Sequence, residues 1–266
     1  MNSEQHSAFP NMRDFLELNE IAAEQCSLAT DEFSRVSGEK LPASINGLGS
    51  VLSLLYRASC CAWGCREGDH QCEWFAARVV NQGMSAYRLI RAGYYDESLM
   101  LIRGIGEIAN LLWLFNADVT NFDQWSSSSR DERMRKFSPN AVRTKLTNLG
   151  GIGSPIDDNR YRHLCEVGTH PVPGFAPGHY SGTGRPVLGG LLQPVGVYVC
   201  ITELSYAVAM CAIPLSKLLG LQEEQAKDLV SKALSLIESL GAFTILNYND
   251  LLTEAQKKTN RDGVPD

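Results

Sequence analysis

The sequence predicts an all-α protein, a helical bundle of about six to eight helices. Apolar residues recur at intervals of three and four through most of the chain, and no alternating apolar and polar run indicates a strand. Hydrophobic residues make up 44% of the 266 residues and charged residues 20%, which is enough material for a core. We therefore predict a helical extension over 1–43, a bundle over 44–250 and a polar tail over 251–266.

The first half of the chain is predicted to hold four helices, each with an apolar face and a recognisable end. Their spans are about 14–35, 45–61, 73–93 and 96–115. In the first helix, Phe15, Leu18 and Ile21 share one side. Asp96 is expected to cap the fourth helix, and the short turn before it should pair the third and fourth helices as an antiparallel hairpin.

The second half opens with a polar stretch, 125–145, which is predicted as a loop and a short helix. A helix follows over about 162–170. It should end at His170, because the residue before a proline avoids helical conformation and Pro171 comes next. A loop rich in proline and glycine is expected over 171–190.

The most apolar segment, 195–219, is long enough to be considered as a membrane span. Glu203 lies near its middle, where a charge is costly in a bilayer, so we predict a buried core helix that begins at Pro194. A last helix is expected over 222–248. The N-terminus lacks a basic and apolar leader, and the eight cysteines are interpreted as reduced thiols. We predict a cytoplasmic protein without membrane contact.

Three residues at one predicted helix end form a candidate catalytic site. Arg162, Glu166 and His170 are spaced four apart, which places them on adjoining parts of one helical face. A cation, a carboxylate and a group that titrates near neutrality are suited to acid–base or phosphate chemistry. The same residues also fit a polar helix end with no function.

The fourth predicted helix carries a polar stripe on an otherwise apolar surface. Arg103, Glu107 and Asn110 follow one another at spacings of four and three. A buried charge needs a partner, so these side chains are expected to bond to another helix. Two interpretations remain open: an interhelical salt-bridge network, or the polar wall of a pocket that receives His170 or a ligand.

The net charge of −6 gives no general reason to expect nucleic-acid binding, so any such contact must use a local patch. One basic segment is long enough to meet a phosphate backbone, although it also fits a solvated helical face. Its cations are Arg130, Arg133, Arg135, Lys136, Arg143 and Lys145.

A cysteine-rich segment allows a zinc site as a third interpretation, but its spacing matches no paired Cys-x2-Cys module. Its candidate ligands are Cys60, Cys61, Cys65, His70 and Cys72. Small buried residues at a helix contact explain the same pattern. We predict no metal and no cofactor. The HExxH and GxGxxG motifs and a Ser/His/Asp elbow are absent from the sequence, which removes the usual protease, dinucleotide-enzyme and hydrolase interpretations.

The hairpin AYRLIRAGYYDESLMLIRGIGEIANLLWLF resembles that of an uncharacterised bacterial branch of the HEPN-like helical superfamily. A later element, YRHLCEVGTHP, is similar to a second motif of that branch. The matching residues are Gly93, Tyr95, Glu97, Leu101, Arg103 and Glu107, then Tyr161, Leu164, Cys165, His170 and Pro171. The resemblance covers roughly 73–171.

This resemblance implies a dimeric helical bundle and, for the ribonucleases of the superfamily, an Arg-x(4–6)-His pair at the dimer cleft. Arg162 and His170 would be that pair, although seven residues separate them. We therefore predict a metal-independent endoribonuclease of the toxin or phage-defence kind, with RNA as its partner. The alternative is a non-catalytic helical homodimer that uses Arg103 and Glu107 to bind a protein or a small ligand.

Overall fold

The computed structural model describes residues 12–63, 70–149, 153–170 and 189–241, and every regular element in these ranges is a helix. The all-α prediction is therefore confirmed. The described residues hold ten helices rather than six to eight. They are α1 (Met12–Val36), α2 (Lys40–Ser59), α3 (Gln71–Arg91), α4 (Tyr95–Ala117), α5 (Thr120–Ser127), α6 (Arg130–Lys136), α7 (Pro139–Asn148), α8 (Asp158–Gly168), α9 (Pro194–Leu218) and α10 (Glu223–Leu240).

The additional helices come from the polar stretch after α4, where a loop and one short helix were predicted. Ser129 caps α6 in a capping box with Glu132, and Ser138 caps α7 with Pro139 at its first position. Both signals are visible in the sequence. They were missed because helices this short have too few turns to show an apolar period.

The centre of the bundle is formed by α9, which packs against α2, α3, α4 and α10. Helix α9 lies close against α4 at Gly196, where an added Cβ would lie 2.9 Å from the ring of Tyr95. A larger residue at this position would force the two most apolar helices apart. Asp96 lies in the first turn of α4, whose N-cap residue is Tyr94, so the predicted Asp96 cap is wrong.

Two of the described helices, α4 and α9, are long and apolar enough to cross a membrane by length and composition alone. In their most apolar windows, 61% and 72% of the residues are buried inside the bundle. This burial is what the core helices of a helical bundle require. Glu203 of α9 is 2% exposed, as predicted for a core position.

Helix α8 runs antiparallel to α4. Its first turn contacts the middle of α4, through Tyr161 and Arg103, and its last residue, Gly168, lies against the start of α4. An added Cβ on Gly168 would approach the backbone nitrogen of Met100 to 2.9 Å. Glycine at this position therefore allows close contact between two helix backbones.

Candidate functional site

The polar stripe of α4 is fixed by α8. The Arg103 guanidinium donates to the Tyr161 hydroxyl (2.7 Å), and this hydroxyl donates to the Glu107 carboxylate (3.0 Å). Arg103 also pairs directly with Glu107 at 2.7 Å. Burial, with Glu107 beside it, raises the pKa of Tyr161, so the phenol keeps its proton and acts as a donor. The stripe is therefore bonded to another helix through the Tyr161 hydroxyl, whereas its ion pair lies within α4.

Asn110, the third residue of the stripe, holds the segment that precedes α8. Its amide nitrogen donates to the backbone oxygen of Ile156 (2.9 Å), and its amide oxygen accepts from the backbone nitrogen of Ile156 (3.0 Å). Asn110 is 3% exposed and Ile156 is 1% exposed, so these hydrogen bonds are shielded from water. The pair fixes where α8 begins.

A pocket of about 240 Å³ lies between α3, α4 and α7. Glu107 of the α4 stripe is one of the residues that line it. Ile108 and Leu111 of α4, with Phe137 before α7, form its apolar wall. Its polar lining consists of Arg78 and Gln82 of α3, and of Glu107 and the largely buried Asn110 of α4. Glu107 therefore belongs to the network and also lines the pocket.

The predicted catalytic residues lie on α8 and just beyond it. The helix ends at Gly168, so the predicted stop at His170 is close to the observed one, and His170 follows on the surface. Arg162 is exposed and Glu166 is half-buried. No hydrogen bond or ion pair between described residues joins any two of these three side chains.

The structure does not bring Arg103 and Glu107 to His170. Because α8 is antiparallel to α4, its C-terminal end lies beside Asp96 and Met100, whereas Tyr161 lies beside Arg103. The seven residues from Asp96 to Arg103 correspond to roughly 10 Å along the helix axis. The network and the exposed histidine are thus separate features of α8.

The predicted basic segment is divided between two short helices. On α7, Arg143 pairs with Asp158 at 2.5 Å and Lys145 donates to Asn121 at 3.2 Å, so both cations have structural partners. Burial, followed by the nearby charge of Lys136, lowers the pKa of Lys145. The other four cations are on α6: Arg130 and Arg135 are exposed, Arg133 bonds to the carbonyl of Ser128, and Lys136 pairs with Glu132 at 3.5 Å. Four of the six predicted cations are therefore already bonded to other described residues.

A buried ion pair that sequence reasoning missed joins α8 to α9. Arg160 contacts the Glu203 carboxylate at 3.2 Å, and its guanidinium lies 3.8 Å from the ring centre of Tyr206. The pKa of Glu203 is raised to about 7, mainly by burial. The charge of Arg160 acts in the opposite direction, and the charge of Asp157 adds to the increase. The mid-helix position of Glu203 was recognised, but its partner lies 43 residues away and no local pattern identifies it.

Four members of the cysteine-rich segment are described, and Cys65 lies outside the described residues. Cys60 is exposed after the end of α2, and Cys72 is partly buried in the first turn of α3. Across 12–63, 70–149, 153–170 and 189–241, no group of three or more His, Cys, Asp or Glu side chains is arranged to hold a metal.

No family model matches the chain, and no curated protein or solved structure matches it significantly. The case for a function therefore depends on the chemistry of its own side chains.

Proposed function

We propose that this protein is a helical binding module that holds a small ligand in the pocket between α3, α4 and α7. The observation that carries the proposal is the amide oxygen of Gln82, which is buried without a hydrogen-bond partner among the described residues. A buried acceptor without a donor costs about 1–3 kcal/mol. A ligand that donates a hydrogen bond to Gln82 removes that cost.

The lining of the pocket defines a ligand class. Ile108, Leu111 and Phe137 favour an apolar body, whereas Gln82 and Glu107 offer acceptors. Arg103 already neutralises Glu107, so the ligand needs no positive charge. The volume of about 240 Å³ corresponds to about eight waters, at about 30 Å³ each. We therefore infer a small neutral molecule with an apolar body and an N–H donor.

Benzamide is a suitable probe, because it combines an apolar ring with an amide donor. At ten times its Kd it is expected to stabilise the fold by about 1.4 kcal/mol, which raises the melting temperature by about 3 °C. Acetophenone is the matched control, since it keeps the ring and the carbonyl, which can accept from Arg78 at the pocket, but has no N–H to donate to Gln82. Thermal unfolding measures both, and equal shifts, or no shift with benzamide, would contradict the proposal.

Replacing Gln82 with methionine separates the ligand contact from stability. The substitution keeps the length of the side chain and removes the unpaired acceptor, so it is expected to stabilise the apo protein by about 1 kcal/mol while abolishing the benzamide shift. Chemical denaturation measures the first effect. Gln124→Met, at an exposed position of α5, is the control and should change neither quantity. A less stable Gln82→Met protein would mean that Gln82 serves the fold alone.

We propose the metal-independent endoribonuclease as the second candidate function. The observation that favours it is that Arg162 and His170 are both exposed on and just after α8, where a second protomer can reach them. In such a site the arginine binds the phosphate, and the histidine transfers a proton as the ribose hydroxyl attacks. Glu166, half-buried on the same helix, would orient the site rather than contact RNA.

This candidate is tested by incubating the purified protein with cellular RNA in the presence of a metal chelator. Cleavage by the wild type, with a loss of about 100-fold or more in His170→Ala and in Arg162→Ala, would support it. Arg13→Ala, which removes an exposed arginine on α1, is the control and should cleave normally. Intact RNA with the wild type, or equal cleavage by His170→Ala, would exclude it.

A further inference from the structure

Specific contacts fix the orientation of α1 on the bundle. The Tyr94 hydroxyl donates to the side chain of Asn19 (3.0 Å), and Thr30 donates to the backbone oxygen of Arg91 (3.3 Å). At Gly190 an added Cβ would lie 2.8 Å from the Cβ of Ala22, so α1 accepts only a small residue at this position. Further along α1, the ring of Phe33 packs edge-on against Tyr198. These contacts define the inward side of α1.

Large aliphatic side chains lie on the outward side of α1, where an ordinary surface helix carries polar residues. Leu18, Ile21 and Leu28 are 52%, 45% and 65% exposed, and their spacings of three and seven place them on one stripe. The sequence placed Leu18 and Ile21 on one side of the helix, and this side faces away from the core. Rotating α1 to bury them would break the contacts of Asn19 and Thr30.

A second stripe, of carboxylates, runs beside the apolar one. Glu17, Glu20 and Glu24 are exposed at spacings of three and four, and no ion pair with a described residue neutralises them. A second copy of α1 would bring three more carboxylates against one available arginine, the exposed Arg13, because its Arg35 is already paired with Glu32. Like charges therefore oppose self-association through this face.

We infer that the outer face of α1 is a docking surface for an amphipathic helix with a basic flank, supplied by a partner protein. The partner's apolar residues would cover Leu18, Ile21 and Leu28, and its lysines or arginines would meet the three glutamates. This surface is independent of the ligand pocket, since none of its residues lines that pocket. Binding here leaves the pocket open.

Two synthetic peptides of about eighteen residues, long enough to form helix on binding, test the inference. Both carry the same leucine stripe; one is flanked by lysines and the other by glutamates. Fluorescence anisotropy is expected to show saturable binding of the lysine peptide and at least about tenfold weaker binding of the glutamate peptide. Equal binding of both peptides, or no binding of either, would overturn the inference.

Three variants locate the binding surface. The double substitution Leu18→Ser and Ile21→Ser should weaken binding of the lysine peptide at least about tenfold. Leu234→Ser, at a 48% exposed leucine of α10, should leave this binding unchanged. Changing Glu17, Glu20 and Glu24 together to lysine should reverse the preference, so that the glutamate peptide binds more tightly. Circular dichroism confirms that each variant is folded.

Sedimentation decides between a partner helix and a second copy. The wild type and the double serine variant should sediment with the same oligomeric state. A dimer that dissociates in the double serine variant would show that a second copy covers this face, and would overturn the assignment to a basic partner helix. Unchanged peptide preference in the triple lysine variant would overturn it equally.

Discussion

Replacing Asn110 with leucine is expected to destabilise the protein by about 3 kcal/mol. Leucine is close in size but cannot hydrogen-bond, so the substitution leaves both the N–H and the C=O of Ile156 unpaired in a dry environment. Each buried backbone group without a partner costs about 1–3 kcal/mol, and the gain from a more apolar side chain offsets part of the total. Chemical denaturation at neutral pH measures the change.

The control for this prediction is Asn140→Leu, at an exposed asparagine of α7. It should alter stability by less than about 0.5 kcal/mol. Amide hydrogen exchange adds a local measurement, because α8 should lose protection in Asn110→Leu while α9 keeps it. A variant as stable as the wild type, with protected α8 amides, would show that Asn110 does not fix the start of α8.

The second large effect is a pH dependence that arises from Glu203. Burial raises its pKa in the folded protein to about 7, above the value of about 4.5 expected for the unfolded chain. The folded state therefore retains a proton that the unfolded state releases. The stabilisation is fully present below about pH 4.5 and is lost as pH rises to about 7. The difference amounts to about 3 kcal/mol between these limits.

Glu203→Gln should remove this pH dependence. Glutamine resembles the protonated carboxyl and can still accept from Arg160, so the stability of the variant relative to wild type should rise by about 3 kcal/mol between pH 4.5 and pH 8. Glu224→Gln, at an exposed carboxyl of α10, is the control. Parallel stability curves for Glu203→Gln and wild type would show that Glu203 is ionised throughout this range.

Both effects act on α8, which has a central position in the fold. In its first turn, Arg160 binds Glu203 of α9 and Tyr161 binds Arg103 of α4, and Asn110 of α4 holds the segment before it. Tyr161 also donates to the Glu107 carboxylate, and Glu107 lines the pocket. Displacement of α8 would therefore disturb the polar wall of the proposed binding site.

Local sequence patterns were enough to predict the long helices. The apolar period located α3, α4 and α9, and the position of Glu203 on a continuous apolar surface indicated a buried helix. The polar stripe of α4 was recognised in the same way, because Arg103 and Glu107 interrupt an apolar helix. These features depend on residues close together in the chain.

The rest of the site depends on contacts between distant residues, and a single sequence does not encode them visibly. Tyr161 belonged to a motif, but only the packing of α8 shows that it bonds to Arg103. The outward direction of Leu18 on α1 follows from the close approach of Gly190 to Ala22. Nothing local distinguishes that apolar face from one that packs against the core.

An NMR titration with benzamide tests most directly the central claim, that the pocket between α3, α4 and α7 binds a small donor ligand. The side-chain amide signals of Gln82 and Asn110 are expected to shift saturably with a single Kd, whereas those of Gln124 stay in place. Acetophenone, which lacks the N–H donor, should leave all three unchanged at the same concentration. The absence of a shift at Gln82 would contradict the assignment of this pocket as the binding site. So would benzamide-induced shifts that persist with the same Kd in the Gln82→Met protein.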